Sequence, residues 1–390
     1  MARICLVTHY FPPHVGGIEK VAFEQSKRLA KMGYRITVLT SKPRIEDVDS
    51  AVEGINVLHY PTQGLAEKIG LPYPIPWFKA FPLFKAEIRK CDLVHAHGHP
   101  YLSSFLACKI AKQFRKPFIV TQHNTFIDYD SWLNLAESLN DWTIGTTVLK
   151  NADRVIAVSG KTAEYVLRLG ADKEKTSVIY NGVDADFFHI IDKEKCRDRL
   201  GLPKNRAVIL SIRRLVCKNG LNTLIEAASQ IVREHNELLF ILIGTGPDRG
   251  FIENRIRELN LSRNIKLKGF VPDEQLPYYY NAADCFVIPS SSGEGLPMVL
   301  LEAMSCGLPV VSTITGGTAE VIKEGVNGFL APPRDSKALA NALSKALSQR
   351  TASSAIGRNN RKTIEKDFTW DKNVQKLHEV YKELLNRKPV

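Results

Sequence analysis

Cysteine is present in this chain without a pattern. Its 390 residues include seven, an odd number with no closely spaced pairs, which speaks against a disulfide framework and against a thiolate zinc site. A reducing compartment is expected. Long hydrophobic runs are missing too: none reaches the roughly 18 residues that a membrane-crossing helix needs. The opening Met1-Ala2-Arg3-Ile4-Cys5-Leu6-Val7-Thr8 is strand-like and too short for the apolar core of a secretion signal. The expected location is cytoplasmic, with peripheral attachment to the inner membrane face as a variant. Short-period repeats and low-complexity tracts are also absent. Nor does one sign of charge dominate. Lys and Arg number 53 against 41 Asp and Glu, and the net +12 is dispersed along the chain. That reads as solubility rather than a nucleic-acid footprint, so no nucleic-acid partner is expected. The length exceeds what one core organises, so two domains are expected.

Apolar runs alternate with helical patterns, which indicates an α/β chain with doubly wound parallel sheets. One set of strands is expected at residues 4 to 8, 36 to 40, 92 to 95, 118 to 121, 155 to 158 and 178 to 180. A second set is expected at 207 to 212, 239 to 243, 265 to 267, 285 to 288, 310 to 312 and 328 to 331. Each set reads as a Rossmann-like sheet with helices on both faces. Domain boundaries are drawn at 1–187 and 188–365, with a terminal helix over 366–390.

Chemistry concentrates in Pro289-Ser290-Ser291-Ser292-Gly293-Glu294-Gly295-Leu296-Pro297-Met298 and the helix that follows. A buried strand ends, a Ser/Gly turn intervenes, and Pro297 is expected at the first position of a helix that stops at Gly307. Such a helix start presents free N–H groups and the positive end of a dipole, which suits a phosphate. Glu294 lies in the turn and Glu302 eight residues on. Two carboxylates beside an anion site accept from hydroxyls, one from a sugar and one from a ribose.

The Glu-x7-Glu spacing, the Gly-Leu-Pro before the helix and the run Glu302-Ala303-Met304-Ser305-Cys306-Gly307-Leu308-Pro309-Val310-Val311 resemble the retaining, sugar-nucleotide glycosyltransferases of the GT-B fold, the family 4-like group of mannosyl- and glucosyltransferases. The resemblance spans about residues 3 to 335. It implies two Rossmann-like domains facing a cleft, an acceptor-binding domain first and a nucleotide-sugar-binding domain second, with the terminal helix crossing back to the first. The implied partners are a nucleotide-sugar donor and a glycan, lipid-linked or small-molecule acceptor, and no cofactor is implied.

Carried residue by residue, the resemblance places Gly16 and Gly17 in a glycine loop at the active site, although Gly-Gly also reads as a plain tight turn. His123, at a strand end, falls where the family has a histidine near the transferred sugar; a structural hydrogen-bonder is the alternative. His95, His97 and His99 alternate along a strand end, but no carboxylate or Cys completes a metal set, so cleft-lining or structural roles are expected. The stretch Arg213-Arg214-Leu215-Val216-Cys217-Lys218-Asn219-Gly220 resembles the family's Gly-Arg-Leu-x3-Lys-Gly. Arg214 falls on the Arg and Asn219 on the usual Lys, so Lys218 is assigned the phosphate role one residue early. Arg213 is expected to point away and serve structure. Gly269 matches where the base is held, Gly295 and Leu296 flank the sugar, and Glu302 takes the ribose.

The mechanism so implied is retention by same-face attack, with Arg214 and Lys218 stabilising the departing diphosphate and Glu294 orienting the sugar. No divalent metal is expected, although Asp128-Tyr129-Asp130 and Asp184-Ala185-Asp186 both satisfy Asp-x-Asp. Residues 71–116 combine an aromatic, proline-broken stretch with eight Lys or Arg against Glu87 and Asp92. Contact with an anionic membrane is one reading and packing of the loop into the first domain the other. The competing functions are a GT-B epimerase or phosphorylase, and a non-catalytic basic peripheral membrane-binding module.

Overall fold

A computed structural model describes residues 2–42, 54–63, 74–129, 133–233, 237–348 and 353–387. The chain forms two units: residues 1–124, 132–182 and 370–390 make the first, and 125–131 with 183–369 the second.

The first unit is built on a seven-stranded sheet. Its strands are β1 (Arg3–Val7), β2 (Arg35–Ser41), β3 (Ile55–Tyr60), β6 (Leu93–His97), β7 (Phe118–Gln122), β8 (Arg154–Ala157) and β9 (Thr176–Val178), with β4 (Thr62–Gln63) and β5 (Ile75–Pro76) forming a separate small antiparallel pair. The order is β3-β2-β1-β6-β7-β8-β9 and every pairing is parallel. Helices cover both faces because parallel strands need crossovers, and strands so covered become continuous apolar runs. Residues 4 to 7, for example, are all buried. Helix Gly17–Lys31 and helix Trp370–Asn386 join the strands in one apolar cluster that includes Ile4, Leu6, Leu29, Leu377 and Tyr381.

The second unit has six parallel strands, β10 (Val208–Ile212), β11 (Leu239–Ile243), β12 (Ile265–Gly269), β13 (Cys285–Ile288), β14 (Val310–Thr313) and β15 (Gly328–Ala331), in the order β12-β11-β10-β13-β14-β15. In both sheets the order reverses after the first strand of the unit, so the strand ends beside that reversal open a crevice. In the second unit those are the ends of β10 and β13, where the arginine pair and the Glu294 turn begin. Its core gathers Ile209, Phe240, Leu242, Val287, Leu224 and Leu343.

All six strands expected in the second unit are present. In the first unit, β3 lies outside the expected set because Asn56 and His59 interrupt its apolar run and leave it only half-buried. The last strand lies two residues earlier than expected, at Thr176–Val178. Within 366–390 a helix spans Trp370–Asn386; a separate helix, Ser353–Asp367, precedes it, and Val183 pairs with Thr369 between the two.

Phe240 is 1% exposed at the centre of the second core. Replacing Phe240 with Ala is expected to cost about 3–5 kcal/mol of that unit's stability, read as a lower urea midpoint at unchanged slope.

Candidate active site

Loops at the carboxyl ends of β10 and β13 are stitched together. After β13, the Ser291 amide and hydroxyl both donate to the Lys218 carbonyl, at 2.8 and 3.0 Å. Gly220, at φ +68, lies against Pro289, and a β-carbon there would sit 1.8 Å from the Pro289 carbonyl oxygen. Only glycine satisfies both the positive φ and that approach. On the far side Gly316 packs on the Glu294 carbonyl, which a β-carbon would meet at 2.3 Å. Thr125 also donates to that carbonyl, through its hydroxyl at 3.2 Å.

These contacts hold Glu294 in place. Its Oε1 accepts from the Ser290 hydroxyl at 2.9 Å and from the Arg213 guanidinium. Burial pushes the Glu294 carboxyl up, but the Arg213 and Lys218 charges and the two hydrogen bonds outweigh it and hold the group below the ordinary carboxylate range. Glu294 is therefore an ionised, half-buried, ion-paired carboxylate at neutral pH.

Arg213 departs from expectation. Strand β10 ends at Ile212, so the alternation that would turn Arg213 away no longer applies. Its guanidinium donates to Glu294, to Ser290 Oγ at 2.7 Å and to Asn219 Oδ1 at 3.2 Å. The signal that could have placed it is the strand end itself. Arg214, next in sequence, is exposed and makes no side-chain hydrogen bond or ion pair among the described residues. Asn219 is buried; its Nδ2 donates to the Arg214 carbonyl at 2.7 Å. Lys218 is half-buried and close enough to depress the Glu294 carboxyl.

Pro297 is the cap residue rather than the first residue of helix Met298–Ser305, because its ψ of 127 is extended. Glu302, one turn into that helix, is buried and accepts from the Tyr280 hydroxyl at 2.8 Å. Burial pushes the Tyr280 phenol far up and the Glu302 charge adds to it, so Tyr280 remains a donor. Glu294 and Glu302 are thus anchored by different partners. Leu296 is buried, Gly295 accepts from the Gly317 amide, and Gly269 closes β12 at φ +72 with its carbonyl taking the Gly244 amide at 2.8 Å.

Within the first unit, Gly16 caps helix Gly17–Lys31. A β-carbon on Gly16 would meet the Glu19 carboxylate at 2.2 Å, whereas Gly17 faces open space. Glu19 is buried, and His14 Nδ1 lies 3.0 Å from its Oε1. Sequence reading did not single out Glu19; its place two residues after Gly17 was the available sign. His123 Nε2 lies 2.8 Å from His97 Nδ1. His95 bridges Thr121 and Tyr381 at 2.7 Å each, and His99 lies 3.1 Å from Asp141. The three alternating histidines therefore serve three separate networks. Asp184 caps the amides of Asp186 and Phe187, and Asp128 pairs with Arg334 at 2.7 Å. Asp130 lies outside the described residues.

Two parallel, doubly wound sheets with a charged strand-end site define the class as GT-B. Residues 15–187 match the family model for Glycosyltransferase Family 4, and residues 192–363 match that for Glycosyl transferases group 1. Among similar proteins are an uncharacterized glycosyltransferase of Methanocaldococcus jannaschii, 27% identical over 97% of this chain and 98% of that one, and D-inositol 3-phosphate glycosyltransferase of Frankia alni, 27% identical over 88% and 90%. Among solved structures, sucrose-phosphate synthase from Thermosynechococcus elongatus is 25% identical with a TM-score of 0.83, covering 98% of this chain and 99% of that one. Anabaena HepE in complex with UDP-glucose shares the fold at 23% identity and a TM-score of 0.81, covering 98% and 100%. The chain is a glycosyltransferase of the GT-B fold, family 4-like in its first unit and group 1 in its second.

Four buried histidines tie this site region to pH. Burial lowers His9 from 6.5 to about 4 and His95 from 6.5 to about 3, and holds His97 and His123 well below the usual value. The unfolded chain takes up these protons first, so their contribution is complete above the unfolded value and is lost as pH falls towards the folded ones. Stability of the first unit should decline below about pH 6.5, at about 1.4 kcal/mol per pH unit for each histidine at most. Denaturant titrations at stepped pH should show that slope, and His95→Gln should flatten it.

Proposed function

We propose that the chain transfers a hexosyl group from a nucleoside diphosphate sugar to a glycan, lipid-linked or small-molecule acceptor, with retention of anomeric configuration and without a divalent metal. The observation that carries this reading is the clustering, at one end of the second sheet, of a half-buried ionised carboxylate, Glu294, with Arg213 and Lys218. Arg214 adjoins it with an uncommitted guanidinium among the described residues, and helix Met298–Ser305 starts beside the same turn. Anabaena HepE, which has this fold, was solved with UDP-glucose.

In this reading the diphosphate lies against Arg214, Lys218 and the helix start, where preplaced cations stabilise charge on the departing nucleotide. These groups supply the role that a metal would otherwise take. Glu294 accepts from sugar hydroxyls, Glu302 from the ribose, and the Gly269, Gly295 and Leu296 backbone borders the donor. The route that the family resemblance implies is same-face attack, in which the acceptor hydroxyl enters from the face that the nucleotide leaves and the departing phosphate takes its proton.

A screen of UDP-, GDP- and ADP-sugars, with the anomeric proton of the product followed by NMR, tests the reading. Retained configuration and activity in excess chelator are expected. Glu302→Ala should chiefly raise the donor KM, whereas Arg214→Ala should lower kcat by roughly 100-fold. Equal, small effects of both would overturn the assignment, and release of free nucleotide without sugar transfer would favour the epimerase reading.

Attachment to an anionic membrane is the second part of the proposal, carried by the helix Phe81–Lys90 and the turn before it. Phe78 is 70% exposed and Phe81 44%, while Lys79, Lys85, Arg89 and Lys90 are exposed around them and Phe84 and Ile88 are buried beneath. Aromatic side chains ringed by cations suit an anionic lipid surface. Leu71, Pro72 and Tyr73 lie outside the described residues. The protein should float with phosphatidylserine vesicles at low salt and not with neutral ones, and Phe78→Ser with Lys85→Glu should abolish it.

A further inference from the structure

Two positions at which this chain leaves the Gly-Arg-Leu-x3-Lys-Gly pattern touch each other. Arg213 stands where the pattern has its first Gly and Asn219 where it has Lys, and the Arg213 guanidinium donates to Asn219 Oδ1 at 3.2 Å. We propose that Arg213 and Asn219 form one positioning unit for Glu294, in which Asn219 fixes the guanidinium that aligns the carboxylate. The proposal rests on the sugar-binding role of Glu294 given above and goes beyond it by assigning these two residues.

Geometry leaves each member little choice. Asn219 Nδ2 is engaged by the Arg214 carbonyl at 2.7 Å, which turns Oδ1 towards Arg213. An amide is needed here because it donates on one side and accepts on the other. Lysine at this position has no acceptor to offer and would set a second cation against the guanidinium. In turn, Arg213 points a single nitrogen, Nη2, at three acceptors, Asn219, Ser290 and Glu294, with only 7% of its side chain exposed. A planar guanidinium whose Nη2 sits among three acceptors has little room to move and so fixes the carboxylate it pairs with. Glycine at 213 would remove those bonds and leave the Glu294 carboxylate with Ser290 and the Lys218 charge. Lysine at 219 would return a cation to the vacated space. The residues are therefore coupled, and their single and double replacements should not be additive.

The test is a cycle of R213G, N219K and the R213G/N219K double variant in the full chain, with R213K as a milder change. Each of R213G and N219K should lower kcat/KM for the donor by about 100-fold, the size expected when a reacting group is misplaced. The double variant should recover most of that loss. A structural role alone would move thermal stability without this recovery, so melting temperatures are measured alongside. The second readout needs no turnover: the side-chain carbon-13 signal of Glu294 should titrate at higher pH in R213K and R213G than in the parent. Additive losses in the cycle, or an unmoved Glu294 titration, would overturn the coupling. A parent protein inactive with every donor, yet showing the Glu294 shift, would instead count against the function and leave the Arg213 contact intact.

Discussion

A carboxylate taken out of water at the end of a parallel sheet must be compensated where it sits, and the second unit is arranged around that requirement. Desolvation pushes the Glu294 carboxyl up; an arginine, a lysine and a serine hydroxyl outweigh it and hold the group below the ordinary carboxylate range. Meeting the demand needs two loops to interlock, which is why Ser291 bonds to the Lys218 carbonyl and why glycine is required where Gly220 meets Pro289. The same loops leave Arg214 facing outward. One electrostatic constraint thus separates a structural arginine from a chemically available one, although they are neighbours in sequence.

The first unit solves a related problem with neutral groups. Its sheet buries His95, His97 and His123, each held uncharged by desolvation, and pairs them with a threonine, a tyrosine or one another. Tyr381, from the helix Trp370–Asn386, supplies one of these partners. That helix therefore contributes both an apolar face to the core and a polar group to the strand ends. Polar satisfaction inside a sheet end of this kind couples segments that lie far apart along the chain.

Much of this was legible beforehand because parallel strands covered on both faces are written as uninterrupted apolar runs. Most strands of the second unit announce themselves in that way, while β12, at the sheet edge, shows instead the alternation of Ile265 and Leu267 with Lys266 and Lys268. Strand β3, with Asn56 and His59 in a half-buried edge, does not announce itself so. Within the site, the Glu294 and Glu302 spacing and the Lys218 offset were visible as residue types at fixed intervals. The role of Arg213 was not, since alternation predicts direction only while the strand lasts, and β10 stops one residue too soon.

Sequence alone determined the α/β class, the strand-turn-helix that presents Glu294 and the cationic loop opposite it, because each depends on neighbours within a few residues. Tertiary structure decided which arginine pairs with that glutamate, that Asn219 is spent on holding it, and that the three alternating histidines part into separate networks. Those outcomes depend on which strand ends lie side by side, and strand order is a property of the whole sheet rather than of any local run.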